Sequence, residues 1–147
     1  MAIKDLSKKP FIEDRKENVF IGIDLPFRKS DGMEGWFTST TTTIESVKNN
    51  IRNLLNTNKG ERYMQPTLGL NLRNYMFEQI TIDLQDTIKT EIIETFNFWL
   101  PFVQIQNLDI DILESSTSDK NKLSISVLFN IVRDPNTTES VQVEIGD

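Results

Sequence analysis

Apolar residues change their spacing twice along the chain, and the two changes separate a strand region, a helical middle and a second strand region. Val19, Ile21, Ile23, Leu25 and Phe27 alternate with Phe20, Gly22, Asp24 and Pro26, the period of two that a strand requires, and Pro26 suits an edge position. Residues 28–35 contain Ser30, Asp31, Gly32 and Gly35 and read as a loop. Farther on the step lengthens. Ile44, Val47, Ile51, Leu54 and Leu55 recur at helical spacing, leaving Glu45, Lys48, Asn49 and Arg52 outside. Thr42 and Glu45 have capping-box spacing, so this helix begins at the end of the threonine-rich run 38–43, and Gly60 ends it or opens the turn just after. A short helix is expected over 72–79. The next long helix is predicted over 82–100, along the stripe Leu84, Ile88, Ile92, Phe96 and then Trp99 or Leu100, where Pro101 stops it.

Beyond Pro101 the period returns to two. Leu108, Ile110 and Ile112 alternate with Asp109 and Asp111, and Leu123, Ile125, Val127, Phe129 and Ile131 form a second run. The polar stretch 115–121 between them is short enough for a hairpin. After Asp134-Pro135-Asn136, Val141, Val143 and Ile145 share one face while Gln142 and Glu144 share the other. Strands grouped after helices predict an α+β fold: an antiparallel C-terminal β-sheet packed against two main amphipathic helices, with an N-terminal strand and arm. Residues 1–18 mix charge with little periodicity and are expected to be the arm, leaving 19–147 as a single domain. Trp36, Phe37, Phe96 and Trp99 are expected in the core. Phe98 lies off the helical stripe and is free to meet the strands or a partner.

Composition narrows the chemistry. The 147 residues include no histidine and no cysteine, which removes disulfides, zinc sites built on those residues, thiol nucleophiles and histidine-based triads. Sixteen basic against 22 acidic residues give a net charge of −6, which repels a phosphate backbone, and the small basic groups Lys8-Lys9 and Arg28-Lys29 read as solvated loop charges. No apolar stretch approaches the roughly 18 residues of a membrane span, and the N-terminus has no signal-peptide core. The expectation is a soluble, unexported protein.

Carboxylates are the commonest catalytic groups left in a chain without histidine or cysteine. Asp109 and Asp111 alternate with Leu108, Ile110 and Ile112, which places both on the exposed face of a strand. Glu61 lies in a turn bounded by glycines, with no second carboxylate or apolar pocket marked beside it. Asp24, Asp31 and Glu34 are too loosely arranged for a calcium loop, and no phosphate-binding glycine loop is present. No metal, cofactor or small-molecule substrate is expected. The C-terminal run VQVEIG carries more information, because a chain that ends on a strand can leave a sheet edge open to a strand from another chain. The pattern leaves two placements open, an exposed edge or a covered position within the sheet.

One series of residues is specific. Trp36-Phe37-Thr38 is followed by a helix ending in Ile51-Arg52-Asn53-Leu54-Leu55-Asn56-Thr57, then Gly60-Glu61-Arg62, Pro66, Gly69, Leu72 and Phe77. This series resembles the phage baseplate-wedge and sheath-initiator family of contractile tails, which also includes a baseplate component of type VI secretion machines. The resemblance spans about residues 36–113. It implies an α+β fold whose sheet imitates part of the sheath subunit, so that the first sheath ring joins by strand pairing, and it implies contact with helical wedge proteins. Some members carry a lysozyme-like label, for which these residues supply no mechanism. Many members have Glu-Pro-Arg where this chain has Leu100-Pro101-Phe102: the proline stop is kept and both charges are lost.

The expected function is therefore a non-enzymatic baseplate subunit of the virion, assembled in the host cytoplasm, that docks on wedge proteins and starts the sheath. The residues expected to meet partners are Gly60, Glu61, Arg62, Pro66 and Gly69 in the turn, Leu100, Pro101 and Phe102 at the helix end, and Val141, Val143 and Ile145 in the last strand. Nucleic acid and membrane are not expected partners. The alternatives are a carboxylate-dependent peptidoglycan hydrolase using Glu61, a type VI secretion baseplate component, and a peptide-binding adaptor unrelated to tails.

Overall fold

Chain order sets two helical segments and a short turn of helix between two strand regions, and the computed structural model describes residues 11, 14, 19–30, 36–79, 81–113 and 122–146 of them. Most of the expected arm 1–18, the loop residues 31–35 with Asp31, Gly32, Glu34 and Gly35, and the hairpin connection 115–121 lie outside the described residues. The chain gathers into two compact units, Met1–Ile51 and Arg52–Asp147. No helix among the described residues is long and apolar enough to cross a membrane.

In the first unit, strand β1 (Gly22–Ile23) pairs antiparallel with β2 (Ser39–Thr40), in the register Gly22 opposite Thr40 and Ile23 opposite Ser39. The strand predicted over residues 19–27 is thus reduced to two residues, and Ile23 and Phe27 are exposed rather than half-buried. Pro26 has no N–H to donate, so a continuous ladder cannot pass through it. Among the described residues pairing resumes beyond it as a single bridge between Lys29 and Phe37. Trp36 is 82% exposed and Phe37 is exposed as well, which corrects their expected place in the core.

Helix α1 (Thr43–Asn56) starts where Thr42 Oγ1 accepts the Glu45 N–H at 3.4 Å, as the cap spacing predicts. Asp14 adds a second cap: its Oδ1 accepts the Thr43 N–H at 2.7 Å and the Thr43 hydroxyl at 2.8 Å. Asn49, expected outside, is buried and donates to the Ile23 carbonyl at 3.2 Å and to Asp24 Oδ1 at 3.4 Å. The local strand ribbon offers those two acceptors, so an amide is satisfied where the helical pattern alone places a solvent-facing residue.

In the second unit, α2 (Leu72–Tyr75) is one turn, shorter than expected, and α3 (Ile82–Trp99) matches the predicted long helix. Thr81 caps α3 by accepting the Leu84 N–H at 3.2 Å. Leu84, Ile88, Ile92 and Phe96 are buried along one stripe. Strands β3 (Val103–Leu113), β4 (Lys122–Ile131) and β5 (Asp134–Ile145) make an antiparallel sheet in the order β3-β4-β5, and α3 packs against β3. The α+β class and the three-stranded C-terminal sheet are as predicted. Ile125, Val127 and Phe129 at its centre are fully buried, each worth about 1.5–3 kcal/mol.

Two irregularities shape this sheet. Ile105 faces Phe129 and Asn107 faces Leu128, so Gln106 is an extra residue in β3. The bulge reverses the parity of β3, which lets Val103 before it and Leu108 and Ile110 after it all point into the core. The second shift separates Asn130, opposite Thr138, from Ile131, opposite Asp134. Asn130 spans both: its Oδ1 accepts from Gln106 Nε2 at 3.2 Å and its Nδ2 donates to the Pro135 carbonyl at 3.2 Å.

Candidate functional site

The segment between α1 and α2 is held by its own backbone. Gly60 N–H donates to the Pro66 carbonyl at 2.7 Å, Glu61 N–H to Asn58, Gln65 N–H to Arg62, Leu68 N–H to Gln65, and Leu70 N–H to Thr57 at 2.9 Å. Glycine is required at two of these positions, since Gly60 has φ 87° and Gly69 has φ 110°. At Gly69 there is also no room, because a Cβ would lie 2.2 Å from the Thr57 carbonyl oxygen. The Glu61 carboxylate accepts the Asn58 N–H at 2.9 Å, so it closes the turn on itself. Among the described residues Arg62 forms no ion pair, and it stands exposed beside Tyr63, 95% exposed, and Met64, 86% exposed. The turn residues named from sequence are therefore a frame, and the side chains they raise into solvent are Arg62, Tyr63 and Met64.

A polar clamp fixes this frame to α3. Lys59 Nζ lies 2.7 Å from Glu91 Oε1, and the Tyr75 hydroxyl donates to Glu91 Oε2 at 2.9 Å. Burial first, and the Glu91 carboxylate second, push the Tyr75 hydroxyl up to about 12. None of these three residues stands out in the sequence, because the clamp joins positions on three separate segments and no local spacing marks it.

At the far end of α3, Leu100 is buried and its N–H still donates to Phe96 at 2.8 Å, while Val103 N–H returns to Leu100 at 2.9 Å. Pro101 and Phe102 are exposed at this corner. The Phe102 carbonyl accepts the Val132 N–H at 3.0 Å, which ties the corner to the turn between β4 and β5. A groove of about 730 Å³ runs here between α3 and β3, with Ile93, Asn97, Pro101, Ile105 and Val132 among its walls. Phe98, 74% exposed, is edge-on to Trp99 with ring centroids 5.0 Å apart.

Among the described residues β5 is an outer strand of its sheet rather than a central one, bonded to β4 on one side. Val141, Val143 and Ile145 are buried, so their side chains belong to the chain's own core, and what β5 offers outward is backbone. In an antiparallel edge strand alternate residues turn N–H and C=O groups away from the sheet. β5 has no Lys or Arg, and Pro135 near its start is the only proline in it. The structure brings the helix corner close to the start of β5 and sets Val141, Val143 and Ile145 toward the other end of the sheet.

The carboxylates considered for catalysis are placed as strand and turn chemistry. Asp109 and Asp111 are exposed on β3, and Asp109 Oδ2 accepts from Asn107 Nδ2 at 2.8 Å. Among the described residues no group of three or more acidic side chains gathers as a metal site would require.

The same α+β arrangement recurs in tail proteins. A Geobacter sulfurreducens protein named for a tail lysozyme superposes with a TM-score of 0.61 at 23% identity, covering 74% of this chain and 94% of that one. A chain of the anti-feeding prophage baseplate superposes with a TM-score of 0.60 at 23% identity, covering 75% of this chain and 83% of that one. Baseplate wedge protein gp25 of Enterobacteria phage T4 is 23% identical over 108 residues, 74% of this chain and 79% of that protein. The model of the family called baseplate wedge protein gp25 matches residues 41–136. The chain belongs to that family, and the match continues past residue 113 through β4 into β5.

Proposed function

We propose that this protein is a non-enzymatic structural subunit of the baseplate of a contractile tail, in a phage or a phage-like particle assembled in the host cytoplasm, and that it docks on wedge proteins and starts the sheath. Family membership supports the baseplate role. What supports the sheath-starting role is the long strand β5, which among the described residues is an outer strand with one side of its backbone unpaired by the sheet. β5 suits this better than β3, the other outer strand among the described residues, because β3 packs against α3, while the register shift in β5 is confined to residues 134–138 near its start. The wedge contact falls on the corner at Pro101 and Phe102, with Leu100 held inside the chain's own core, and on the turn. With no Glu and Arg flanking Pro101, the corner offers the apolar surface of Phe102, Val132 and Ile93.

The test is to delete the gene and image the particles. The expected products are baseplates and tubes without sheath, rescued by the wild-type chain; normal sheath growth without it contradicts the proposal. A hydrolase has a separate test. Purified protein is expected to leave a peptidoglycan suspension turbid, and clearing that is lost in Glu61→Gln would reverse the non-enzymatic reading.

A further inference from the structure

The tip of the turn is built in a way its own fold does not use. Tyr63 and Met64 are almost entirely in solvent, where a large apolar side chain stabilises nothing within the chain. Yet their backbone is ordered beforehand by the Gly60–Pro66, Gln65–Arg62 and Leu68–Gln65 hydrogen bonds and by Glu61 on Asn58. Preordering of this kind lowers the entropy lost on binding. Tyr, Met and Arg are also the residue types that protein interfaces enrich.

We infer that Arg62, Tyr63 and Met64 form a plug that seats in an apolar pocket with a carboxylate at its rim on a neighbouring baseplate protein. Tyr63 and Met64 supply the buried contact. The Arg62 guanidinium, without an ion pair among the described residues, supplies the charge that a carboxylate completes. A net charge of −6 with a single cation at the tip disfavours an acidic lipid surface or a nucleic acid as the occupant's partner. The inference rests on the baseplate reading and deepens it, by naming which side chains of the turn reach the partner and what that partner must offer.

The test adds purified chain to a lysate in which the particle assembles from a genome lacking this gene, then measures the chain retained on sedimented baseplates. The Tyr63→Ala, Met64→Ala double variant is expected to lower retention roughly thirty-fold at limiting concentration. Arg62→Glu is expected to lower it comparably and Arg62→Lys less, while all variants keep the wild-type melting midpoint because the altered side chains are exposed. Wild-type retention with undiminished retention of the double variant overturns the plug and leaves the baseplate reading standing. Failure of the wild-type chain to be retained overturns both. Binding to phosphatidylglycerol vesicles that depends on Tyr63, or a dimer in light scattering that Tyr63→Ala dissolves, would assign the tip to a membrane or to a second copy and likewise overturn the plug.

Discussion

The Tyr75 hydroxyl donates to Glu91 across 2.9 Å while Lys59 holds the other oxygen of the same carboxylate at 2.7 Å, so one acidic side chain on α3 anchors both ends of the segment that carries the turn. The two contacts are unequal in worth. A largely exposed ion pair contributes about 0–1 kcal/mol, whereas a hydrogen bond to a charged group contributes about 1.5–3 kcal/mol. Glu91→Ala is therefore expected to destabilise by about 2 kcal/mol and Lys59→Ala by less than about 0.5 kcal/mol. Equal losses in urea unfolding would show that the tyrosine contact is not the stronger one.

The same contact sets a pH dependence. Because Tyr75 is raised to about 12 from an ordinary value of 10.0, the folded chain holds this proton more tightly than the unfolded chain. The resulting stability is fully present below pH 10, falls as pH rises, and is gone above about pH 12. Melting midpoints of the wild type and Tyr75→Phe are expected to converge across that interval. A gap that stays constant with pH would contradict the assignment.

Gly60 and Gly69 separate two costs of adding a methyl group. Gly60→Ala meets nothing within 4 Å and bears only the left-handed backbone, so a loss of about 1 kcal/mol is expected. Gly69→Ala adds a collision with the Thr57 carbonyl, and a loss of about 2–4 kcal/mol is expected. Chemical denaturation of the two variants side by side checks the order.

Asn130 is a buried amide joining the two sheet irregularities. Asn130→Ala is expected to cost about 1–3 kcal/mol. Hydrogen exchange is expected to quicken around residues 104–107 and 134–138, with residues 123–127 and 141–145 still protected. Uniform loss of protection over the whole sheet would contradict a local role.

The parts of this fold that could be read in the sequence are those in which burial sets the pattern. α3 and the runs 123–131 and 141–145 alternate or recur as their buried sides require. The first half of β5 could not be read that way, since residues 134–140 have no apolar alternation: Asp134, Thr138, Glu139 and Ser140 pair with β4, and residues 135–137 lie in the register shift between them. The break in the β1 region came from Pro26, and the buried Asn49 came from acceptors supplied by another segment. Within the site, Gly60, Glu61 and Gly69 were legible as turn residues, but the exposure of Tyr63 and Met64 was not, because apolar type argues for the inside until the backbone shows otherwise. Removing residues 139–147, which looks from sequence like the removal of a free margin, would also strip Val141, Val143 and Ile145 from the core, so that truncation is expected to unfold the chain.

Pairing at the outer side of β5 is tested most directly by a cryo-electron microscopy map of the assembled, sheathed particle. The account predicts a strand from a sheath subunit lying about 4.8 Å from β5 along its free side. Solvent, or a segment of this same chain, in that position would contradict it.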